Sequence, residues 1–265
     1  MKTIPPNKKQ GVRARGCNWF LLFCIPLTLL VVGTAQAKNV SKRSSHQEIS
    51  FAERLEAEQR LSDLGYWTGP IDGNLDVGSR HALIAFQKVE GRQRTGRLTG
   101  DELQALRTAS RPLPRHTGAA HIEVDIRRQV LFIVDASGSI THILPVCTGN
   151  EEFYVDHGQI HTAHTPTGQF KVLRKISGWR RSTLGLLYYP NYIYEGIAIH
   201  GSLAMPVYPD SHGCIRIPMY ASKELSELTP VGTVVIVYED QEVTRAKVSG
   251  LPRELGEASD APLAE

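Results

Sequence analysis

Residues 121–146, HIEVDIRRQVLFIVDASGSITHILPV, decide the class of fold. From His121 to Ile126 apolar and polar residues alternate at period two, the mark of a strand with one face buried. Residues 129–134 repeat the apolar character, and Ala136-Ser-Gly-Ser supplies a turn into a third run over 140–146. Three short apolar runs joined by tight connections predict adjoining antiparallel strands.

Working downstream, further strands are predicted at 168–173, 196–200 and 233–238, and one helix over 219–228. A mostly β domain over 119–240 follows. Upstream, residues 110–118 (SRPLPRHTG) carry two prolines that suit neither a helix nor a central strand, so 111–118 reads as a linker. Before it, Leu55, Leu61 and Leu64 mark an amphipathic helix that starts at Phe51 and stops at Gly65, and Gly69-Pro-Ile-Asp-Gly73 is a turn. A second helix is predicted from near Ser79, with Ala82, Leu83, Ala85 and Phe86 facing the first. Thr99-Gly-Asp-Glu opens a third. These elements make a three-helix unit over 51–110, near the lower size limit for independent stability. Residues 241–265, rich in Glu, Ser, Pro and Ala, read as a disordered tail.

The extreme N-terminus has a different character. Lys2, Lys8, Lys9, Arg13 and Arg15 precede an apolar run from Trp19 to Gly33, and Ala35-Gln-Ala37 has the small-x-small form of a processing site. Residues 1–37 are therefore expected to be a signal peptide, with a polar tether over 38–50. An uncleaved anchor is the rival reading. Lipidation at Cys17 or Cys24 lacks the small residues that would precede it. Removing five of the 30 basic residues leaves 25 against 27 acidic, a net charge of −2, so the formal +3 of the whole chain gives no support to nucleic-acid binding. Export also leaves only Cys147 and Cys214, which is no disulfide framework and makes a reactive thiol worth considering.

The chemistry concentrates in Ile199-His-Gly-Ser202 and Ser211-His-Gly-Cys-Ile-Arg216. A cysteine with a free pKa near ~8.5 needs an imidazole neighbour to become a nucleophile and donors to hold the developing oxyanion. Gly213 lets a carbonyl approach closely, and the amides of Gly213 and Cys214 are candidates for those donors. Cys147, in the strand-to-turn segment 145–149, reads as a packed thiol, with a redox bridge to Cys214 as the alternative.

Those residues resemble the L,D-transpeptidase (YkuD-type) family, marked by a His-Gly pair on one strand and Ser-His-Gly-Cys-x-Arg downstream. The likeness extends through PVCTGN, HTPTGQF, SGW, LGLLYYPNYIYEGIAIHGS and SHGCIRIP in the family's order. Residues 61–91, LSDLGYWTGPIDGNLDVGSRHALIAFQKVEG, resemble the small peptidoglycan-binding domain, departing from it at Leu75-Asp-Val77, where that family has Phe-Gly-Pro.

The resemblance implies a YkuD-type β-sandwich behind a three-helix domain, and a thioester mechanism on peptidoglycan tetrapeptide stems. Cys214 would attack the carbonyl before a terminal D-alanine. A stem amine (giving a 3→3 cross-link), water or a lipoprotein lysine would take the acyl group. It implies His200 as proton acceptor and donor, Gly201 as its orienter, and His212 as a site-shaping residue or the base itself. Arg216 would steady the loop or meet a carboxylate, and Ser211, Gly201, Tyr194 and Trp179 would border the substrate. For Tyr192, Tyr194 and Trp179 a buried aromatic core is the competing assignment.

No cofactor or metal is expected. Asp72, Asn74 and Asp76 imitate a calcium loop, but Val77 and Leu83 stand where Gly and Glu are needed. His157, His161 and His164 raise a metal hydrolase, yet a three-residue gap puts two imidazoles on one face only in a helix, and Gly158 with Thr165-Pro-Thr-Gly168 argues against one. A non-catalytic wall-binding protein is the second rival. The oligomeric state is left open. The expected location is outside the cytoplasmic membrane, in the periplasm or cell wall.

Overall fold

The computed structural model describes residues 48–239; the expected signal peptide, most of the tether and the tail lie outside the described residues. Among the described residues no helix is long and apolar enough to cross a membrane.

Three helices lead: α1 (Phe51–Asp63), α2 (Val77–Val89) and α3 (Gly100–Thr108). Each begins at a side-chain cap. Ser50 and Glu53 form a reciprocal capping box on α1, Asp76 accepts from the Ser79 N–H at α2, and Thr99 accepts from the Glu102 N–H at α3. Asp76 thus has a structural task at the position where this chain departs from the helical-domain pattern. Leu55, six residues from Leu61 and turned away from it, is exposed, and the buried face of α1 holds Ala57, Glu58 and Leu61. Glu58 is fully buried because its carboxylate does what the turn after α1 requires. It accepts the N–H groups of Asp72 and Gly73 at 3.0 and 2.7 Å and the Ser79 hydroxyl at 2.7 Å.

The rest is mostly β. Strands β1 (His121–Asp125), β2 (Val130–Val134) and β3 (Ile140–Pro145) are adjoining and antiparallel, as their sequence predicts. After them come β4 (Phe153–Asp156), β5 (Gln159–Thr162), β6 (Gly168–Lys171), β7 (Arg174–Lys175), β8 (Trp179–Ser182), β9 (Gly185–Tyr194), β10 (Ile197–Ser202) and β11 (Ile215–Pro218). Helix α4 (Met219–Leu228) and β12 (Val234–Tyr238) complete the order. One sheet runs β3-β2-β1-β12-β6, with β1 and β12 parallel. The second runs β11-β10-β9-β7, with β8 also on β9, and β4–β5 is a separate hairpin.

Period-two alternation in β2 splits the core. Leu131 and Ile133 join Ile122, Val124 and Leu144 against Ile193, Ile199, Ile215 and Ile217 of the second sheet and Leu225 of α4. Val130, Phe132 and Val134 face the other way and pack with Ile143 against Leu61, Phe86, Leu103 and Leu106 of the helices. The first sheet is therefore covered on both faces, which is why every residue of β2 is buried. Tyr66 meets Phe86 edge-on at 5.7 Å, and Gly65 and Trp67 exchange backbone hydrogen bonds with Ile143, so the helical unit also covers the β3 edge. The 111–118 connection is pinned. Arg111 donates to the carbonyls of Asp63 and Ile140, and the N–H groups of Arg115 and His116 donate to the buried Glu123 carboxylate.

Candidate active site

Strands β10 and β11 are parallel neighbours in a register that sets Ile199 beside Ile215 and His200 beside Arg216. Ile199 and Ile215 belong to the core between the sheets, so His200 and Arg216 project from the opposite face. Cys214 immediately precedes β11, next to the Ile215 that pairs with Ile199, and its thiol is reached by the Ala198 N–H of β10.

His200 is 5% exposed, and its Nδ1 lies 2.9 Å from the Gly201 carbonyl oxygen. A carbonyl only accepts, so Nδ1 carries the proton and Nε2 is left with its lone pair. Burial pulls the imidazole pKa down to about 4, with Arg216 adding to the effect and the Gly201 bond opposing it. Burial likewise pushes the Cys214 thiol up, against the Ala198 N–H and Arg216, which favour the thiolate. At neutral pH the resting pair is a thiol and a neutral imidazole. The Cys214 Sγ lies 3.9 Å from the Gly196 carbonyl oxygen.

The loop that presents Cys214 is tied at several points. Ser211, itself buried, accepts the Gly213 N–H at 3.1 Å and donates to the Cys214 carbonyl at 2.6 Å. The Gly213 amide is thus occupied by Ser211 rather than turned toward a substrate oxygen, which differs from the expectation for that amide. Gly213 has φ +120°, and a Cβ there would meet the His164 carbonyl oxygen at 2.7 Å, so only glycine fits. Thr165, buried and outside the sequence-based set of candidates, accepts the Gly149 N–H and donates to the Gly213 carbonyl at 2.7 Å. Residues 147–150 lie alongside: Cys147 and Arg216 exchange both backbone hydrogen bonds, and Thr148 accepts from Asp210 and Ser211. The Arg216 guanidinium stands 3.7 Å from the Asp210 carboxylate, closing the loop across its base. Cys147 is fully buried, and both it and Cys214 are free thiols.

His212 is exposed, its ring edge-on to Tyr154 at 4.8 Å, and Tyr154 stacks on His161 at 5.5 Å. The β4–β5 hairpin therefore lies against the 211–214 loop. Burial, Asp156 and Cys214 raise the Tyr154 phenol pKa, which places Tyr154 within the field of the thiol. Its Phe-Tyr-Val setting carries a β-forming signal and no chemical one, so the sequence does not single it out. Tyr194 ends β9, two residues before Gly196. Trp179 opens β8, which pairs with β9, so two strands stand between it and β11. Neither belongs to a buried aromatic core: they are 41% and 48% exposed. Tyr192 is half-buried under the Arg174 guanidinium at 3.9 Å. The three histidines that suggested a metal cluster lie on and after a hairpin, with His164 paired to Glu151 at 2.9 Å. Among the described residues no three His, Cys, Asp or Glu side chains come together as metal ligands would.

A two-sheet domain with Cys214 and His200 on or beside parallel neighbouring strands stands behind a helical domain, and both parts have counterparts among known proteins. Residues 119–237 match the YkuD L,D-transpeptidase catalytic domain, and residues 52–106 match the peptidoglycan binding domain. Among solved structures the chain is similar to an L,D-transpeptidase from Xylanimonas cellulosilytica, at 37% identity and TM-score 0.67, over 70% of this chain and 93% of that one. It is also similar to an L,D-transpeptidase from Stackebrandtia nassauensis, at 21% identity and TM-score 0.44, over 75% of this chain and 97% of that one. No curated protein sequence matches. The chain belongs to the L,D-transpeptidase family. Family and fold support an acyltransferase that takes part in peptidoglycan cross-linking in general.

Proposed function

We propose that this protein is a cysteine-dependent L,D-transpeptidase that acts on peptidoglycan tetrapeptide stems through a Cys214 thioester. The observation that carries the reading is the His200 Nδ1–Gly201 bond, which leaves Nε2 unprotonated on β10, the strand paired with the one that Cys214 leads into. As Sγ attacks the carbonyl before the terminal D-alanine, its proton passes to Nε2 and an S–C bond forms. Collapse of the tetrahedral intermediate breaks the C–N bond, His200 protonates the leaving amine, and D-alanine departs. An amine on a neighbouring stem then attacks the thioester, gives its proton to His200, and releases Sγ with a 3→3 cross-link. The Cys214 N–H is the amide assigned to the developing oxyanion, since the Gly213 N–H is engaged by Ser211. The helical domain would hold the enzyme to the wall, and the site of action would be outside the cytoplasmic membrane.

The reading is tested by incubating mature protein with tetrapeptide muropeptides and following intact mass and free D-alanine, with Cys214→Ala as control. An acyl adduct and D-alanine release by wild type alone support it, and the product identifies stem amine, water or a lipoprotein lysine as acceptor. Binding to sacculi with no adduct and no D-alanine under reducing conditions would leave a wall-binding scaffold instead. Loss of activity to a chelator would point to the metal hydrolase.

A further inference from the structure

We propose that the helical domain is part of the catalytic apparatus, with Lys88 and Arg94 acting as positioning residues for the Cys214 loop. The inference rests on the reading of Cys214 as nucleophile and gives the helical domain a task beyond holding the wall.

Lys88, near the end of α2, is 2% exposed, and its ammonium crosses into the β domain to donate to the carbonyls of Gln129 and Val146 at 3.1 and 2.9 Å. An apolar side chain would fill that space without the cost of desolvating a cation. The lysine is explained by what it holds. Gln129 has φ +61°, a left-handed conformation unfavourable to a non-glycine residue, and its carbonyl accepts from both Lys88 and the Val146 N–H. With the backbone so fixed, the Gln129 side chain takes the Thr148 N–H at 3.0 Å and donates to the Thr148 hydroxyl at 2.6 Å. The Thr148 carbonyl accepts the N–H groups of Asp210 and Ser211, and Ser211 bonds Gly213 and Cys214. A continuous hydrogen-bonded path therefore joins α2 to the nucleophile, and every side chain linking it is buried.

Arg94 makes a second connection. From the loop after α2 its guanidinium donates to the Val207 carbonyl at 3.0 Å, in the segment between β10 and Ser211. Two cations of the helical domain thus fix both stretches of backbone that flank the Ser211–Cys214 turn. They also face one another: burial and then Arg94 pull the Lys88 pKa down to about 7, a cost retained at the interface.

The test uses the full mature chain with Lys88→Met and Arg94→Gln. Three quantities are read: melting temperature, the pH profile of Cys214 alkylation by iodoacetamide with the adduct located by mass, and kcat and KM for D-alanine release. The expected result for folded Lys88→Met is a fall in kcat of about tenfold with KM within about twofold of wild type. Its alkylation profile moves to higher pH, because the displaced thiol loses the Ala198 N–H. Arg94→Gln shows the same pattern in milder form. Folded variants with wild-type kcat and an unmoved profile would overturn the proposal. If Lys88→Met does not fold, Arg94→Gln decides it. Should wild type release no D-alanine, the transpeptidase reading fails, while the alkylation profiles still judge the coupling.

Discussion

Ser211 Oγ and the Cys214 carbonyl oxygen lie 2.6 Å apart, and the same hydroxyl accepts the Gly213 N–H. One buried side chain thereby satisfies backbone groups on both sides of the peptide leading to Cys214. Ser211→Ala would leave the buried Gly213 N–H unpaired, at a cost of about 1–3 kcal/mol, and the part-buried Cys214 carbonyl without this partner at a smaller one. The expected result is a lower denaturation midpoint together with an acylation rate reduced by roughly tenfold to a hundredfold. Urea melts and single-turnover adduct formation check the two separately. A variant that loses stability while acylating at the wild-type rate would show that Ser211 supports the fold and not the reacting geometry.

Gly213→Ala tests the same turn by sterics. Its φ of +120° and the 2.7 Å approach to the His164 carbonyl both oppose a methyl group, and the opposing atom belongs to backbone that has no rotamer to change. Strain of about 1–3 kcal/mol is expected, with acylation falling by at least about tenfold. Since Gly213 is not among the residues of the helical core, sacculus binding by the helical domain should persist. Parallel pull-down and D-alanine assays distinguish that outcome from general unfolding.

How much of the fold is legible in the sequence depends on where burial repeats. In β2 both faces are buried, so Val130 to Val134 is an unbroken apolar run that any periodic reading finds. The β4–β5 hairpin has no such imprint: Phe153, Val155 and Ile160 are all largely exposed, and its inward contact is Tyr154 against His212. Leu55 shows the reverse failure, an apolar residue six positions from Leu61 and so off its face, left 37% exposed, while Glu58 takes the buried place because the following turn needs a carboxylate. The site residues Cys214, His200 and Ser211 are legible because their types are chemically specific and adjacent. Thr165, Thr148 and Gln129 are not, because a threonine hydroxyl or an amide that bridges distant backbone groups has no sequence spacing to announce it.

Thr165→Val retains the shape of the side chain and removes the hydroxyl that joins Gly149 to Gly213. The buried Gly149 N–H and Gly213 carbonyl would then be unpaired, for a loss of about 1–3 kcal/mol each. Thr165→Ser keeps the hydroxyl and should recover most of both stability and acylation. Thermal melts and adduct kinetics on the pair check this. Equal damage from Val and Ser would assign the role to the methyl group's packing.

His200 ties activity and stability to pH in the same direction. Its pKa is about 4 in the folded protein and near 6.5 when the chain is unfolded, so between those values the unfolded state binds the extra proton. Stability is therefore full above about pH 6.5 and falls as the pH drops toward 4. The contribution at stake is on the order of 3 kcal/mol, since each pKa unit corresponds to about 1.4 kcal/mol and the ring is buried. Acylation follows the unprotonated Nε2, so its acid limb should sit near pH 4 rather than near 6.5. With a thiol raised above its ordinary pKa, the rate should not require a preformed thiolate at neutral pH. His200→Gln removes the base and the titration together. It should abolish adduct formation at every pH and flatten the melting temperature between pH 4 and 6.5 relative to wild type. An acid limb near 6.5 in the wild-type enzyme would instead show that the proton transfer does not follow the buried His200 ring.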